Sequence, residues 1–514
     1  MRRKLLTITL YALFVSAVLC LSACNFLSEN QSSPKYQSNV LKIGSPPKLF
    51  PSFSDKYAPP DWWRRENRND PKKFPIFELK QDYPRIPVSE SQEWQKKEFA
   101  MIFDVSKPYA ERKKIAKRYI VEVLKYAYKG NIENDWNVKT NKVRDWFHAP
   151  WLHVNYREKT GAERNSGSRE FLHGLTAERC SCRAELDSPD PGEMCPSSPA
   201  NFQDSEEKLC PDTSPVQNWG VAFYNAKGAM TIAKVWEEMT VHERDSSKYP
   251  DLEKIGKMDF PDGTVVIKLL FTNASDTEAP NLAGSRLIWN ADTNRYKYRN
   301  SKDNSFFNEQ NCLKNDENFK KCFPGLRLLQ MDVAVRDHRA DRTTGWVFGT
   351  FIYNKNAKSV FDERTDAKSD WEKVEPVGLM FGNDPGVNFD QPSEKLRENF
   401  IFTDLKQHLG CGGRLNGPVD NPRQSCLACH AGSEILPVYK KIETTKDPCN
   451  ERFFNSYFRN VKSGEPITPE GVSLNYSLQL QAGIVRYCIA NPGNCAGKGG
   501  SEKFGFSHEV ERDE

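Results

Sequence analysis

Methionine is scarce in this chain of 514 residues, eight in all, and none follows Met380. Long blocks of one charge are missing: 73 Lys and Arg stand against 69 Asp and Glu, and no basic run gives nucleic acid a footing. The chain also lacks a nucleophile elbow, a phosphate-binding glycine loop and a zincin motif, which removes three common routes to catalysis. No internal repeat is present, so a solenoid or propeller is not indicated.

What the chain does have is Ser425-Cys426-Leu427-Ala428-Cys429-His430. Cys-x-x-Cys-His is the attachment pattern of a c-type haem. Residues i, i+3 and i+4 share one face of a helical turn. The sulfurs of Cys426 and Cys429 then reach the two vinyl groups of one porphyrin edge, and His430 lies under the iron as proximal ligand. Composition alone yields this pattern about once in 170 such chains, so chance is a poor explanation. A zinc half-site wants a second ligand pair, and a dithiol redox motif wants a βαβ setting; neither is visible.

The N-terminus points to export. Met1-Arg2-Arg3-Lys4 is charged, Leu5 to Leu21 is almost wholly apolar, and Leu21-Ser22-Ala23-Cys24 closes the segment. The run is short for a membrane span and fits a secretory signal over residues 1–23. Its closing tetrapeptide resembles the lipobox of bacterial lipoproteins, which implies lipidation at Cys24 and attachment to a membrane through that lipid. By resemblance to the bacterial sorting rule, Asn25 rather than Asp favours the outer membrane. Haem is joined to cysteines on the periplasmic side, so the two ends of the chain support each other. Loss of Arg2, Arg3 and Lys4 takes the formal charge from +4 to +1.

Cysteine usage agrees with an oxidising compartment. Apart from Cys20, Cys24, Cys426 and Cys429, ten remain: Cys180, Cys182, Cys195, Cys210, Cys312, Cys322, Cys411, Cys449, Cys488 and Cys495. An even number favours disulfides. Cys312 with Cys322 and Cys488 with Cys495 are spaced as local staples, while Cys180, Cys182, Cys195 and Cys210 match no zinc spacing well.

The expected architecture is α+β. Residues 24–60, rich in Ser, Asn, Gln and Pro, read as a tether behind the lipid. Residues 61–390 read as a β-rich body, an antiparallel sheet or its sandwich version. It has one clear helix from Tyr109 to Tyr128. Strand-like runs lie at Val221–Tyr224, Thr264–Thr272, Arg286–Trp289, Arg327–Val335 and Trp346–Tyr353. Residues 391–514 read as a small helical haem domain, with helices expected over Gln391–Leu409, Glu451–Val461 and Leu474–Ile489.

On Cys426 to His430 this last segment resembles the c-type cytochromes, which implies one covalently bound haem c and electron transfer to a redox partner protein. Four further segments resemble bacterial cytochrome c-type lipoproteins: Trp146–Trp151, Gly345–Thr350, Gly382–Pro385 and Gly413–Pro422. That resemblance carries no assigned activity. The chain departs from the small soluble cytochromes in one respect. Their distal ligand is a methionine downstream of the haem motif, and here none exists, leaving Met380, His408, His508 or an open position. A filled iron shuttles electrons, whereas an open one binds peroxide or a diatomic gas. A third alternative makes the body a surface ligand-binding protein and the haem structural. His148, His153 and His173 fit no helical ligand spacing and are expected to be structural, and the aromatic groups near 62–63, 146–151 and 346–353 are expected in the core.

Overall fold

A computed structural model gives the architecture and describes residues 77, 80–87, 89–150, 175–178, 216, 218–289, 325–387, 396–404, 408–436, 449, 455–490 and 505–506. The signal, Cys24, the tether, His153, His173, His508 and the Cys180–Cys210 and Cys312–Cys322 groups lie outside those residues.

Twelve strands are present among the described residues. They are β1 (Trp146–Phe147), β2 (Thr176–Ala177), β3 (Asn218–Asn225), β4 (Val265–Thr272), β5 (Ile288–Trp289), β6 (Leu326–Arg336), β7 (Trp346–Tyr353), β8 (Val374–Met380), β9 (Asn399–Ile401), β10 (Glu434–Leu436), β11 (Val472–Ser473) and β12 (Gly505–Phe506). The first nine form one antiparallel sheet, with path β1-β3-β4-β6-β7-β8-β9, β2 paired to β3 and β5 to β6. The last three form a small second sheet in the order β11-β10-β12. The α+β class and the β-rich body are as expected.

Period-two alternation divides the large sheet's side chains between two faces. Val265, Ile267 and Leu269 of β4, Met331, Val333 and Val335 of β6, and Val347 and Phe351 of β7 belong to one core cluster. Helix α1 (Tyr109–Tyr128) brings Tyr119, Ile120, Val123 and Leu124 to that same cluster. It packs so closely that a Cβ on Gly349 would sit 1.7 Å from Ile120 Cδ1. Arg112 is buried in α1, with its guanidinium donating to the Ile102 and Arg397 carbonyls at 2.7 and 2.9 Å.

The opposite face carries Tyr224, Phe348, Ile352, Val377 and Met380. Against it pack α2 (Ala226–Met239), capped by the Asn225 side chain, the short α3 (Cys426–Ala431) and α4 (Leu478–Ala490). Ser477 Oγ accepts the Leu480 N–H at 3.2 Å and lies 2.8 Å from the Tyr224 hydroxyl, which ties α4 to β3.

Among the described residues after 390, one strand belongs to the large sheet. The helix expected over Gln391–Leu409 gives way, among its described residues, to the edge strand β9, paired with β8. Asn399 explains the change: its amide donates to the Gly382 carbonyl at 3.0 Å and to Asp384 at 2.8 Å, and its oxygen accepts the Leu415 N–H at 3.1 Å. Tertiary pairing of that kind overrides helical spacing. The segment also holds β10–β12, so its described part is mixed rather than all-helical.

Candidate functional site

Cys426, Cys429 and His430 lie on α3, which Ser425 starts. Its Oγ accepts the Ala428 N–H at 3.2 Å and donates to Asn383 Oδ1 at 2.9 Å, so the cap is itself held from outside. Arg414 braces the preceding loop. It is fully buried and donates to the carbonyls of Asn383, Cys411, Asp384 and Val387 at 2.5–3.0 Å. Burial lowers its pKa to about 10. The Gly382–Pro385 turn and the Gly413–Pro422 loop, distant in sequence, thereby form one support under the motif. Cys411, at the start of that loop, is disulfide-bonded to Cys449, a pairing that local spacing did not indicate. Cys488 is also disulfide-bonded, whereas Cys426 and Cys429 are free thiols.

His430 is oriented from one side. Its Nδ1 lies 2.8 Å from the Tyr476 carbonyl, and its ring centroid is 4.8 Å from that of Phe348 on β7. With Nδ1–H donated to that carbonyl, Nε2 carries the lone pair for a ligand. The carbonyl is aimed by unusual backbone: Asn475 and Tyr476 both adopt left-handed φ, 51° and 66°. Such a pair is costly for side chains other than glycine and persists only where surroundings over-determine it. Here the Asn475 amide donates to the Met258 carbonyl at 2.9 Å and the Tyr476 hydroxyl to the Val461 carbonyl.

Cys426, Cys429 and His430 each keep an intermediate share of surface, yet all three are strongly desolvated. Burial, then Asp420 and Asp332, pushes the Cys426 thiol well up, and burial followed by Asp420 pushes Cys429 up to about 12. Burial takes His430 down to about 4, against the effect of its bond to Tyr476. A dithiol oxidoreductase needs a thiol shifted the other way. Nor is the motif gathered as zinc ligands. Among the described residues, the one set of His, Cys and carboxylate atoms close enough to share an ion is Asp262, Asp337 and His338.

The wall beside the motif is the sheet itself. Registers align Ala222, Lys268, Asp332, Thr350 and Gly378 in one row across β3, β4, β6, β7 and β8. The next row is Tyr224, Val266, Ala334, Phe348 and Met380. Although β4 and β6 are interior strands, Val266, Lys268, Asp332 and Ala334 remain half-exposed, so the described residues cover this patch only in part. Thr350 Oγ1 lies 4.0 Å from Cys426 Sγ and donates to Asp332 at 2.8 Å. The Gln330 amide donates to Asp332 at 2.9 Å and to Asp420 at 2.8 Å. Lys268 Nζ is 2.9 Å from Glu178. Burial alone would lower Lys268, but Glu178, together with Asp420 and Asp332, outweighs it and the pKa is raised.

Of the distal candidates, Met380 is fully buried in the apolar cluster behind Phe348. His408 is buried, its Nδ1 has no hydrogen-bond partner among the described residues, and burial lowers its pKa to about 4. His148 Nδ1 accepts the Lys80 N–H at 3.0 Å and its ring packs on Phe223, a structural role as expected. Trp146, Trp346 and Tyr353 are core residues, also as expected. Lys268, Asp332, Gln330 and Asp420 were not singled out from sequence. The available signal was Lys268 as the lone charge of β4 and Asp332 as the lone acid of β6.

Compared with family models, with characterised proteins and with solved structures, the chain finds no match.

Proposed function

We propose that this chain is a lipid-anchored, periplasmic monohaem c-type cytochrome that passes single electrons to and from a redox partner protein. Cys426 and Cys429 would carry the porphyrin as thioethers and His430 would ligate the iron. Residues of the C-terminal segment would thus form the haem-binding part of the molecule, and Cys24 would bear the lipid. A bound haem supplies a one-electron iron couple. The observation that carries the reading is the His430 Nδ1–Tyr476 carbonyl bond of 2.8 Å, the arrangement that fixes an imidazole tautomer with Nε2 turned to a metal. Two features fit with it: thiols left free in a chain that forms a disulfide 15 residues upstream at Cys411, and a half-uncovered sheet patch beside them. Disulfides also agree with an exported protein. Visible spectra of the purified exported protein, oxidised and reduced, test the proposal. Sharp c-type bands on reduction are expected, and a colourless protein would refute it.

A second reading keeps the haem but leaves its sixth position open to peroxide or a diatomic gas. It is favoured by Met380 lying wholly within the core and by Lys268 and Asp332 bordering the site. Carbon monoxide separates the two: ready binding to the reduced protein at neutral pH marks an open position, and refusal marks a filled one.

A further inference from the structure

Val266 on β4 and Ala334 on β6 are apolar and lie on interior strands, yet both are half-exposed. Register makes Ala334 the neighbour of Val266 on one side and of Phe348 on the other, and the Phe348 ring packs on His430. With strands about 4.8 Å apart, Ala334 and Val266 stand about 5 and about 10 Å along the sheet from Phe348. Both belong to the rim of the same apolar cluster as Cys426, whose Sγ lies beside Thr350 of β7. The motif is close to this patch. Lys268 on β4 is near enough to bias the protonation of Cys429 and His430, and Asp332 on β6 that of Cys426. Charge here is already matched. Lys268 Nζ is paired with Glu178, which lies over the bare backbone of Gly220 on β3, where a Cβ would come within 2.7 Å of Oε1. Asp332 accepts from Gln330 and Thr350. Beside these satisfied polar groups remain two aliphatic side chains next to an aromatic ring, a surface suited to an apolar, planar ligand rather than a charged one.

Resting on the haem reading above, we propose that Val266 and Ala334, with Phe348, are the seat on which the tethered porphyrin lies, and that the Lys268–Glu178 pair stands at its far side. Cys426 and Cys429 would hold one edge of the macrocycle at the motif, and a porphyrin is broad enough to reach from there across β6 to β4. Covering Val266 and Ala334 removes from water the apolar surface that the described packing leaves open, which favours the seated position. Ala334 acts by being small: a bulkier side chain between Val266 and Phe348 would take the ring's place.

The test uses the full-length, haem-loaded protein carrying isotope-labelled alanine and valine methyl groups. Ferric iron displaces the magnetic resonances of nearby methyl groups, so spectra of the oxidised and reduced states are compared, with the two signals assigned through Ala334→Ser and Val266→Ile. The Ala334 and Val266 methyls are expected to move severalfold further than those of Val333 and Val335, which enter the core on the opposite face. Covalent haem per chain should fall severalfold in Ala334→Phe, and the methyl comparison in the unaltered protein decides the question should that variant fail to fold. Equal displacement on the two faces overturns the inference alone, as does full haem content with an unchanged visible spectrum in folded Ala334→Phe. Protein without covalent haem overturns the parent reading and this one with it.

Discussion

Lys268 and Leu269 are neighbours on β4, yet they face different environments. Leu269 enters a dry, fully buried layer between the sheet and α1. Lys268 stands in a half-covered polar row beside Cys426, Cys429 and His430. One face is built to hold the sheet together. The other also packs an apolar cluster, against α2, α3 and α4, but gives up part of its burial along one row to place Lys268, Asp332 and Thr350 next to the motif. Stability and function should therefore separate by face, and substitutions can be chosen to break that separation.

The largest effect is expected from Cys426→Ser with Cys429→Ser. Covalent colour should vanish completely on a denaturing gel stained for haem peroxidase activity, and retention of colour would remove the motif from the site. Next comes Leu269→Ala, a deletion in a close-packed core. It should cost about 2–5 kcal/mol in denaturant unfolding and leave the visible spectrum unchanged. Its counterpart, Lys268→Met, should cost no more than about 1 kcal/mol, since its ion pair is half-exposed, while shifting the midpoint potential. If both residues changed stability alike and neither touched the potential, the two-face description would fail.

Acid should weaken the motif side specifically. His408 is buried with its pKa lowered to about 4. The unfolded chain binds a proton there that the folded chain refuses, so stability is complete above the unfolded value and is lost as pH falls toward the folded one. Between neutrality and about pH 4.5 this amounts to about 2–3 kcal/mol, and His408→Gln should flatten that part of the stability profile. The last test returns to the dry face. Gly349→Ala presses a methyl group onto Ile120 and should cost about 1–3 kcal/mol, again with no spectral change.

Much of this design is visible in the residues themselves. The helix at Tyr109–Tyr128 has the limits its periodicity implies, and each strand-like run of the body falls within a strand or overlaps one. Their apolar patterning is local information, and local patterning is what a single sequence displays. The motif, Cys426 to His430, is equally local. What stayed hidden depends on partners brought together by the fold. The run after Gln391 has helical spacing but pairs as a strand, because Asn399 satisfies Gly382, Asp384 and Leu415 at once. The carbonyl that orients His430 belongs to Tyr476, 46 residues later, and no side-chain type announces a backbone acceptor. The Asp332–Asp420 convergence spans 88 residues and exists through Gln330, which reads in sequence as an ordinary surface-strand residue. The segments Gly345–Thr350, Gly382–Pro385 and Gly413–Pro422 all meet at the motif, so their prominence in the sequence has a spatial cause.

The central claim is that two sulfurs of this chain bear a porphyrin whose iron His430 grips. It is tested most directly by unfolding the exported protein, extracting it with acidified acetone and recording the pyridine haemochrome of the pellet. One covalent haem per chain is expected to remain with the polypeptide; a colourless pellet with any pigment in the extract would contradict the claim.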